Sequence, residues 1–161
     1  RPGSGGRRVG APRFVRGVEA EPFPAARGAG RGVMPWSPLA GGFLTGKYNR
    51  DETASTGRLS GANPFGDSKF TDRNWVILDA LRKVAAELDC DPAQAALAWT
   101  MARPGVASTI AGARTAAQLT GNILAAGIRL NDDQMNRLNE VSKPADGFPS
   151  SLASPVIRKM V

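Results

Sequence analysis

Apolar side chains in the middle of the chain recur every three or four residues, which is the spacing of one face of an amphipathic helix. The run comprises Trp75, Leu78, Leu81, Val84, Ala85 and Leu88. Thr71 or Asp72 precedes it, and either side chain can accept a hydrogen bond from the first unpaired backbone amides. The pattern therefore predicts a helix over about residues 72–88 with one face buried.

A second helix is predicted to begin directly afterwards. Asp91 is a good helix cap, and Pro92 suits the first helical position, where no amide hydrogen is needed. The segment AQAALAWTMAR that follows is rich in alanine and leucine, so we expect it to pack closely on a flat surface such as a sheet. We expect Trp99 to lie in the core and Pro104-Gly105 to end the helix.

Two further helices are predicted nearer the C-terminus. Thr115 and Gln118 match a capping box, in which Thr115 accepts the amide hydrogen of Gln118 and the Gln118 side chain reaches back to Thr115. The second of these helices starts at Asn131 and ends before Pro144. Their predicted apolar faces are Leu119, Ile123 and Leu124 on the first helix, and Met135, Leu138 and Val141 on the second.

Two short apolar segments are predicted to be strands. One spans Gly32 to Trp36, although Pro35 removes a donor from any ladder there, and the other spans Val106 to Ile110. Upstream, residues 13–15 are expected to form a remnant strand, and the two prolines within residues 19–30 restrict any helix there to a short one. The order of strand, loop and two helices occurs twice, which favours a parallel sheet.

Both predicted strands lead into loops suited to an anion. The first loop holds Ser37, two glycines and Lys47, and the second holds Gly112 and Arg114 before a capped helix start. Glycine allows a ligand to approach the backbone, and a helix N-terminus favours phosphate. Ordinary turn glycines, a helix cap and solvated charges would give the same pattern, so both interpretations stay open. The polar connection at 49–70 could fold over a ligand, but its sequence does not indicate which ligand.

The histidine and cysteine content of the chain excludes several kinds of site. The chain has 161 residues and no histidine, which excludes a histidine-ligated metal or a histidine-based catalytic triad within it. Its single cysteine, Cys90, cannot form an internal disulfide, which favours a cytoplasmic location, and we interpret it as an ordinary linker residue rather than a nucleophile. No membrane span or secretory signal is expected. The first methionine is Met34, so the start resembles that of a truncated sequence.

The net charge of +7 lies mostly at the N-terminus. Residues 1–32 hold seven arginines and two glutamates, whereas the remaining residues hold fourteen basic and twelve acidic side chains. A nucleic-acid interface interleaves basic and aromatic residues on a folded face, and residues 1–12 are instead low in complexity and expected to be disordered. We therefore expect no specific nucleic-acid partner, only weak and salt-sensitive adsorption to polyanions.

Four segments together resemble the C-terminal part of an aldo-keto reductase. They are PWSPLAGGFLTGKY at 35–48, DRNWVILDALRKVA at 72–85, DPAQAALAW at 91–99 and IAGARTAAQLTGN at 110–122. The resemblance covers about residues 13–142 and is strong from residue 32 onwards, which leaves residues 1–12 and 143–161 as tails. It implies an α/β fold, the last two to three βα units of a TIM (β/α)8 barrel, with strand seven at 33–36 and strand eight at 107–110.

The resemblance implies that NADPH is the cofactor, bound after strands seven and eight. It places Trp36 against the nicotinamide, and Arg114 at the 2′-phosphate, which would favour NADPH over NADH. The pyrophosphate would be lined by Ser37, Pro38, Leu39, Ala40 and Gly41, with charge from Lys47 and Arg58. The adenosine end would be held by Gly112, Arg114, Gln118 and Asn122. The family commonly has an acidic residue before Asn122 that contacts adenine, and here that position is Gly121.

The resemblance also implies what this chain lacks. The family reduces aldehydes and ketones with a tyrosine, lysine, aspartate and histidine from the earlier half of the barrel, and no residue here matches them. The only tyrosine is Tyr48, in the glycine loop, and RFVRGVEAE at 13–21 is shortened relative to the family near its sixth strand. We therefore expect an NADP(H)-binding portion that is not a competent reductase alone and that takes a small carbonyl substrate only with a completing chain. The alternatives are a non-catalytic NADP(H)-binding or partner-docking module, and a non-functional truncated product.

Overall fold

The computed structural model of the chain describes residues 7–10, 22–50, 59 and 69–144. Of residues 7–10 it describes the backbone alone. The predicted strand at 13–15, the proposed phosphate ligand Arg58 and the tail from residue 145 lie outside the described residues. The helices and strands below therefore belong to these ranges.

A parallel βαβ unit forms the N-terminal part of the described fold. Strand β1 (Arg7–Gly10) pairs in parallel with β2 (Val33–Trp36), with Arg7 opposite Val33 and Gly10 opposite Trp36. Helix α1 (Pro22–Gly28) connects them, and both of its prolines lie in its first turn, where a missing amide costs nothing. The strand at 33–36 is as predicted, but residues 7–10 were expected in a disordered tail. They form β1 instead, because β2 offers them a parallel edge for backbone pairing.

The predicted strand at 106–110 is less regular than expected. It touches β2 only through two isolated parallel bridges, Val33 with Val106 and Trp36 with Ile110. Three steps along β2 correspond to four steps along this segment, so it carries one extra residue, as in a β-bulge. Pro35 has no amide hydrogen and contributes only its carbonyl, which accepts from the Ile110 amide at 3.0 Å. The missing donor is a physical reason for the broken ladder.

Four longer helices follow β2. They are α2 (Asp72–Glu87), α3 (Pro92–Met101), α4 (Ala116–Leu124) and α5 (Asp132–Val141), and short 3-10 helices lie at Ala40–Thr45 and Ala125–Gly127. Thr71 caps α2 by accepting the Asn74 amide at 3.2 Å, and Asn131 caps α5 by accepting the Gln134 amide at 2.8 Å. Asp91 forms a capping box with Gln94 at the start of α3. The predicted helix starts are confirmed.

The main core forms where α2 and α3 pack on the first 3-10 helix and α5 packs on α2. The predicted inward face of α2 is buried from Trp75 to Ala85, and Leu138 of α5 joins it at 1% exposure. Trp99 is buried as predicted, and its indole Nε1 donates to Asn139 Oδ1 at 3.0 Å. A smaller cluster of Phe23, Ala26 and Val33 holds α1 on the sheet.

A polar contact joins the end of α2 to α5. Arg137 Nη1 donates to Glu87 Oε1 at 2.7 Å, and Gln134 Nε2 donates to Glu87 Oε2 at 3.1 Å. The hydrogen bond from Arg137, aided by that from Gln134, lowers the pKa of Glu87 to about 2. Asp133 also contacts Arg137, with Oδ2 3.0 Å from Nε. Glu87 is therefore held in its charged form at the interface between the two helices.

The apolar face predicted for α4 is present but uncovered. Leu119, Ile123 and Leu124 are 53%, 64% and 59% exposed, and no residue of α4 is buried. The helix itself forms as predicted, but the pattern could not show whether a neighbour covers its apolar residues. Within the described ranges, no helix has both the length and the apolarity that a bilayer crossing requires.

Candidate functional site

The two loops singled out in the sequence begin at the same edge of the sheet. The first starts at Ser37, directly after β2, and the second starts at Ala111, directly after the bridged segment. Trp36 and Ile110, the last residues before the loops, are bridge partners. Because the segments run parallel, their carboxyl ends coincide, and this is the edge at which parallel sheets bind ligands.

The loop after β2 has an unusual backbone. Ser37 and Ala40 have positive φ angles of 55° and 51°, and Gly41 and Gly42 follow with 70° and 96°. A side chain makes this region costly, by about 1–3 kcal/mol for a residue such as Ser37 or Ala40. The surrounding packing must therefore enforce the conformation, and such enforced strain is concentrated at binding and catalytic sites.

Packing against the core holds one side of this loop in its strained conformation. Ala40, Phe43 and Leu44 are at most 1% exposed, and the Phe43 ring lies 4.8 Å from the Trp75 ring of α2. The turn is closed by two backbone hydrogen bonds of 2.9 Å, from the Ala40 amide to Ser37 and from the Gly42 amide to Leu39. The apolar half of the loop is thereby fixed in the protein.

Lys47 lies against this loop. A Cβ atom added to Gly42 would lie 3.4 Å from Lys47 Nζ, so the ammonium rests beside the Gly42 backbone. The same nitrogen lies 4.9 Å from the centre of the Tyr48 ring, and the residue is otherwise exposed. A positive charge is thus placed beside the glycines, as an anion site needs.

Arg82 of α2 fixes the backbone on both sides of Lys47. Its Nη2 donates to the carbonyl of Gly46 at 3.0 Å and to the carbonyl of Tyr48 at 3.2 Å. Asp79, one turn earlier, accepts from Arg82 Nη1 at 3.4 Å. The sequence did not reveal this role, because Arg82 looks like an ordinary helix surface charge and its partners are more than thirty residues away.

Tyr48 has a packing role and not an exposed one. It is 6% exposed, its ring stacks near Phe43, and its hydroxyl oxygen accepts the Leu59 amide at 3.4 Å. The Leu59 side chain in turn lies above Gly41, where an added Cβ would meet Leu59 Cδ2 at 3.1 Å. A side chain at position 41 would therefore be strained by the φ angle and would also have to displace Leu59.

The second loop is organised by side chains predicted to touch a ligand. Thr115 accepts the Gln118 amide at 3.2 Å, as expected for the cap. The Gln118 side chain, however, accepts the Arg114 amide at 2.9 Å, one residue before the predicted Thr115. Asn122 Nδ2 donates to the carbonyl of Gly112 at 3.4 Å. Gln118 and Asn122 thus shape the loop, while the Arg114 side chain is exposed.

The remaining predicted ligands lie in two different settings. Trp36 is 39% exposed on the sheet face opposite the buried Val33 and Pro35. Pro38 is buried and Leu39 is half-buried against the core. Their side chains therefore support the loop, and only their backbone is available to a ligand. Residues 36–41 with Lys47 form one group, and 112–122 form another at the same sheet edge.

Other candidate chemistry is limited in the described part of the chain. No group of three or more His, Cys, Asp or Glu side chains there is arranged to hold a metal. Burial raises the pKa of the Cys90 thiol, and the nearby carboxylates Asp91 and Asp89 act in the same direction. A thiol that resists ionisation is a poor nucleophile. Among the described residues, therefore, neither a metal-binding group nor a readily ionised thiol accompanies the two loops.

Comparison with known proteins identifies the relatives of this chain. The sequence model of the aldo/keto reductase family matches residues 14–143. An uncharacterized oxidoreductase of Bacillus subtilis, YrpG, is 34% identical over 126 residues, covering 78% of this chain and 36% of the relative. A probable voltage-gated potassium channel subunit beta of Arabidopsis thaliana is 36% identical over 110 residues, covering 67% of this chain and 34% of the relative.

A third relative carries the family's name. Probable aldo-keto reductase 1 of Glycine max is 29% identical over 127 residues, covering 79% of this chain and 36% of the relative. The chain thus spans about a third of the length of the curated relatives it matches. The matched region contains both loops of the candidate site and every described helix from α2 to α5. The chain belongs to the aldo/keto reductase family, whose members are oxidoreductases with a TIM-barrel fold.

Proposed function

We propose that this chain is the NADP(H)-binding portion of an aldo-keto reductase, formed by the last two to three βα units of its barrel. The observation that carries the proposal is the strained loop at Ser37–Gly42, with Lys47 beside it, at the same sheet edge as Arg114. Adjacent loops at the carboxyl ends of barrel strands are the usual phosphate-binding position in such folds.

The two loops would hold different parts of the dinucleotide. The backbone of the loop at Ser37–Gly42 would line the pyrophosphate, and Lys47, beside Gly42, would supply its countercharge. Trp36, exposed on the sheet face, would lie against the nicotinamide. Gly112, Arg114, Gln118 and Asn122 would hold the adenosine end, with Arg114 free to grip a 2′-phosphate through two parallel hydrogen bonds. Arg58 would add charge from the intervening connection.

The chain alone is proposed not to be a competent reductase. The bound nicotinamide would supply the hydride, but a carbonyl oxygen also needs a proton donor within hydrogen-bond reach. The chain has no histidine, and its one tyrosine is 6% exposed and packed against Phe43 and Phe70, which shields its hydroxyl from a substrate. Reduction of small aldehydes and ketones would therefore require the earlier half of a barrel, in the cytoplasm where reduced cofactor is available.

Binding of the cofactor is tested by titration of the purified chain with NADPH, NADP⁺ and NADH, followed by fluorescence or calorimetry. Lys47→Ala and Arg114→Ala should each weaken NADPH binding by about tenfold, the loss expected for one charged contact. Arg114→Ala should leave NADH almost unaffected, because NADH has no 2′-phosphate. The controls are Lys83→Ala on the exposed side of α2, and Arg31→Ala before β2, at the opposite end of the sheet. Equal losses in the controls, or no binding by the parent chain, would reject the proposal.

Catalysis by the chain alone is tested by NADPH oxidation with a reactive aldehyde. We expect no turnover above a heat-denatured control. Turnover that survives repeated purification would contradict the proposed absence of a proton donor.

A non-catalytic module is the second candidate. Among the relatives are proteins named as probable or putative potassium channel beta subunits, names that describe assembly with a partner. In that case the chain would bind NADP(H), or dock on another protein, without reducing a substrate. Retained NADPH binding with no turnover, even after a completing half-barrel is added, would favour this module. No binding under any condition would leave a non-functional truncated product.

A further inference from the structure

The first turn of α3 lies between the two loops of the candidate site. Pro92 and Gln94 are the first and third residues of this helix, in the stretch DPAQ at 91–94. Pro92 packs on the loop after β2, and Gln94 reaches across to α4, the helix that follows the second loop. One turn of helix therefore contacts both halves of the site.

Pro92 supports the first loop at the residue before Lys47. Gly46 has a φ angle of 79° and caps the 3-10 helix of this loop. A Cβ atom added to Gly46 would lie 3.4 Å from Pro92 Cγ and 3.7 Å from Arg82 Nε, so the bare backbone packs between α3 and α2. Since Arg82 also donates to the Gly46 carbonyl, the loop is fixed to both helices beside Lys47.

Gln94 makes hydrogen bonds through both ends of its side-chain amide. Its Oε1 accepts the backbone amide hydrogen of Asp91 at 3.0 Å, and its Nε2 donates to the carbonyl of Gly121 at 3.2 Å. The Asp91 amide needs an acceptor and the Gly121 carbonyl needs a donor, so the two partners allow only one orientation of the Gln94 amide. The capping box at the start of α3 thus directs the Nε2 group towards α4.

The Gln94 hydrogen bond reaches α4 beside the residues that shape the second loop. Gly121 directly precedes Asn122 and follows Gln118 by three residues, and these two side chains hydrogen-bond to the backbone of that loop. No residue of α4 is buried, so packing alone fixes this helix only weakly on α3. The bond from Gln94 therefore has a larger share in holding α4 than it would have beside a packed helix.

We propose that Gln94 is a positioning residue of the cofactor site, which fixes the separation between its two loops. Pro92 supports the first loop from the same turn of helix. The assignment rests on the proposed function, in which Lys47 and Arg114 bind the pyrophosphate and the 2′-phosphate of one NADP(H) molecule. A ligand that spans both loops gains affinity when their separation is set beforehand, because less ordering is needed on binding.

Helix capping alone is the competing role for Gln94, and the two roles differ in their effect on ligands. Capping stabilises the start of α3, so its loss lowers the free energy of unfolding without favouring one ligand over another. Positioning matters only to a ligand that contacts both loops. Adenosine 2′,5′-bisphosphate carries the 2′-phosphate but neither the pyrophosphate nor the nicotinamide. It needs only the second loop, so comparing it with NADPH separates the two roles.

The test measures the affinity of the full chain and its variants for NADPH and for adenosine 2′,5′-bisphosphate by calorimetric titration. Gln94→Met keeps the length of the side chain and removes both hydrogen bonds. It should weaken NADPH binding by about fivefold and change the affinity for the bisphosphate by less than about twofold. Gln94→Glu keeps an acceptor for the Asp91 amide and loses the donor to Gly121, so it should also weaken NADPH more than the bisphosphate.

Gln134→Met is the matched control, because Gln134 has the same third position and the same capping box in α5. Its Oε1 accepts the Asn131 amide hydrogen at 3.1 Å, but its Nε2 donates to Glu87 of α2. This variant should change both affinities by less than about twofold, since its contacts are separate from the two loops.

Three results would overturn the positioning role alone. They are an unchanged NADPH affinity in Gln94→Met, equal weakening of both ligands by it, and equal weakening of NADPH by Gln134→Met. Urea unfolding checks that each variant is folded, and where Gln94→Met is not, Gln94→Glu decides between the roles. No binding of NADPH by the parent chain would reject the proposed function and this assignment with it.

Discussion

Replacing Arg82 with methionine should loosen the loop that carries Lys47. Arg82 Nη2 donates to two carbonyls, at Gly46 and Tyr48, and these flank Lys47 directly. Methionine keeps most of the apolar stem of arginine, so the substitution removes the hydrogen bonds with little change in packing. The substitution also removes the exposed contact between Arg82 and Asp79, which contributes little, so the effect should report mainly on the two backbone contacts.

The expected loss of stability in Arg82→Met depends on how far its hydrogen bonds are exposed to water. A hydrogen bond from a charged donor contributes about 1.5–3 kcal/mol when shielded from water. The Arg82 side chain is 37% exposed, so water competes for both carbonyls, and we take about 1 kcal/mol for each. The expected loss of unfolding free energy is about 2 kcal/mol, which for a urea m-value near 2 kcal/mol/M lowers the midpoint by about 1 M.

The assay is urea unfolding followed by tryptophan fluorescence, with Lys83→Met as the matched control. Lys83 is the next residue of α2 and is exposed, so its replacement should cost less than about 0.5 kcal/mol. NADPH affinity is measured in parallel under native conditions, and we expect it to fall as well, because Lys47 loses its fixed position. A loss of stability below about 0.5 kcal/mol for Arg82→Met would refute the reasoning, since it would mean that water serves the two carbonyls equally well.

Three further predictions follow from the described contacts. The pKa of Glu87 is about 2 in the folded chain, against 4.5 in the unfolded chain. The charged carboxylate therefore stabilises the fold above pH 4.5, and this stability is lost as the pH falls from about 4.5 towards 2. In an acid titration followed by circular dichroism, the helical signal of Glu87→Gln should fall less between pH 4.5 and pH 2 than that of the parent chain. Gly121→Ala should raise the unfolding free energy by about 1 kcal/mol, because Gly121 is helical and an added Cβ meets no atom within 4 Å; a decrease in the urea midpoint would show an unrecognised contact. Cys90, whose pKa is raised by burial, should react with iodoacetamide at pH 7.5 more slowly than glutathione does, and a faster reaction would contradict its interpretation as a linker residue and not a nucleophile.

The helices could be predicted from the sequence because their signals are local. Thr71, Asp91, Thr115 and Asn131 each stand just before a helix and are the caps observed. The inward residues of α2 follow a three- and four-residue spacing, and the structure buries them. These features depend on contacts within a few residues, so a single sequence contains the information.

The sheet and the loop contacts depend on residues distant in sequence, and there the predictions were less complete. Residues 7–10 have the composition of a disordered tail, and only the edge of β2 makes them a strand. The irregular pairing at 106–110 follows from Pro35, whose effect on a neighbouring segment some seventy residues away has no local signature. Arg82 was missed for the same reason. Gln118 was predicted to reach back to Thr115, and Gln118 and Asn122 to hold the adenosine end of the cofactor. In the structure both side chains belong to α4, and their hydrogen-bond partners are backbone groups of Arg114 and Gly112.

The contrast between the two loops bears on how the proposed site would respond to a missing half-barrel. The first loop is clamped into the main core by Phe43 and Leu44 and by the Arg82 contacts from α2, so its conformation depends on residues the chain itself supplies. The second loop is fully exposed, and its shape rests on the Gln118 and Asn122 hydrogen bonds at the start of α4, the helix with the uncovered stripe. Solvent competes directly for such bonds, and α4, which contacts α3 but buries none of its residues, gains little stability from packing. The pyrophosphate side of the site should therefore be preformed in the chain alone, while the adenosine side should be held more firmly when α4 is covered. It follows that the difference in affinity between NADPH and NADH, which depends on Arg114, should increase when a barrel half docks. An unchanged difference would mean that α4 is already ordered without its neighbour.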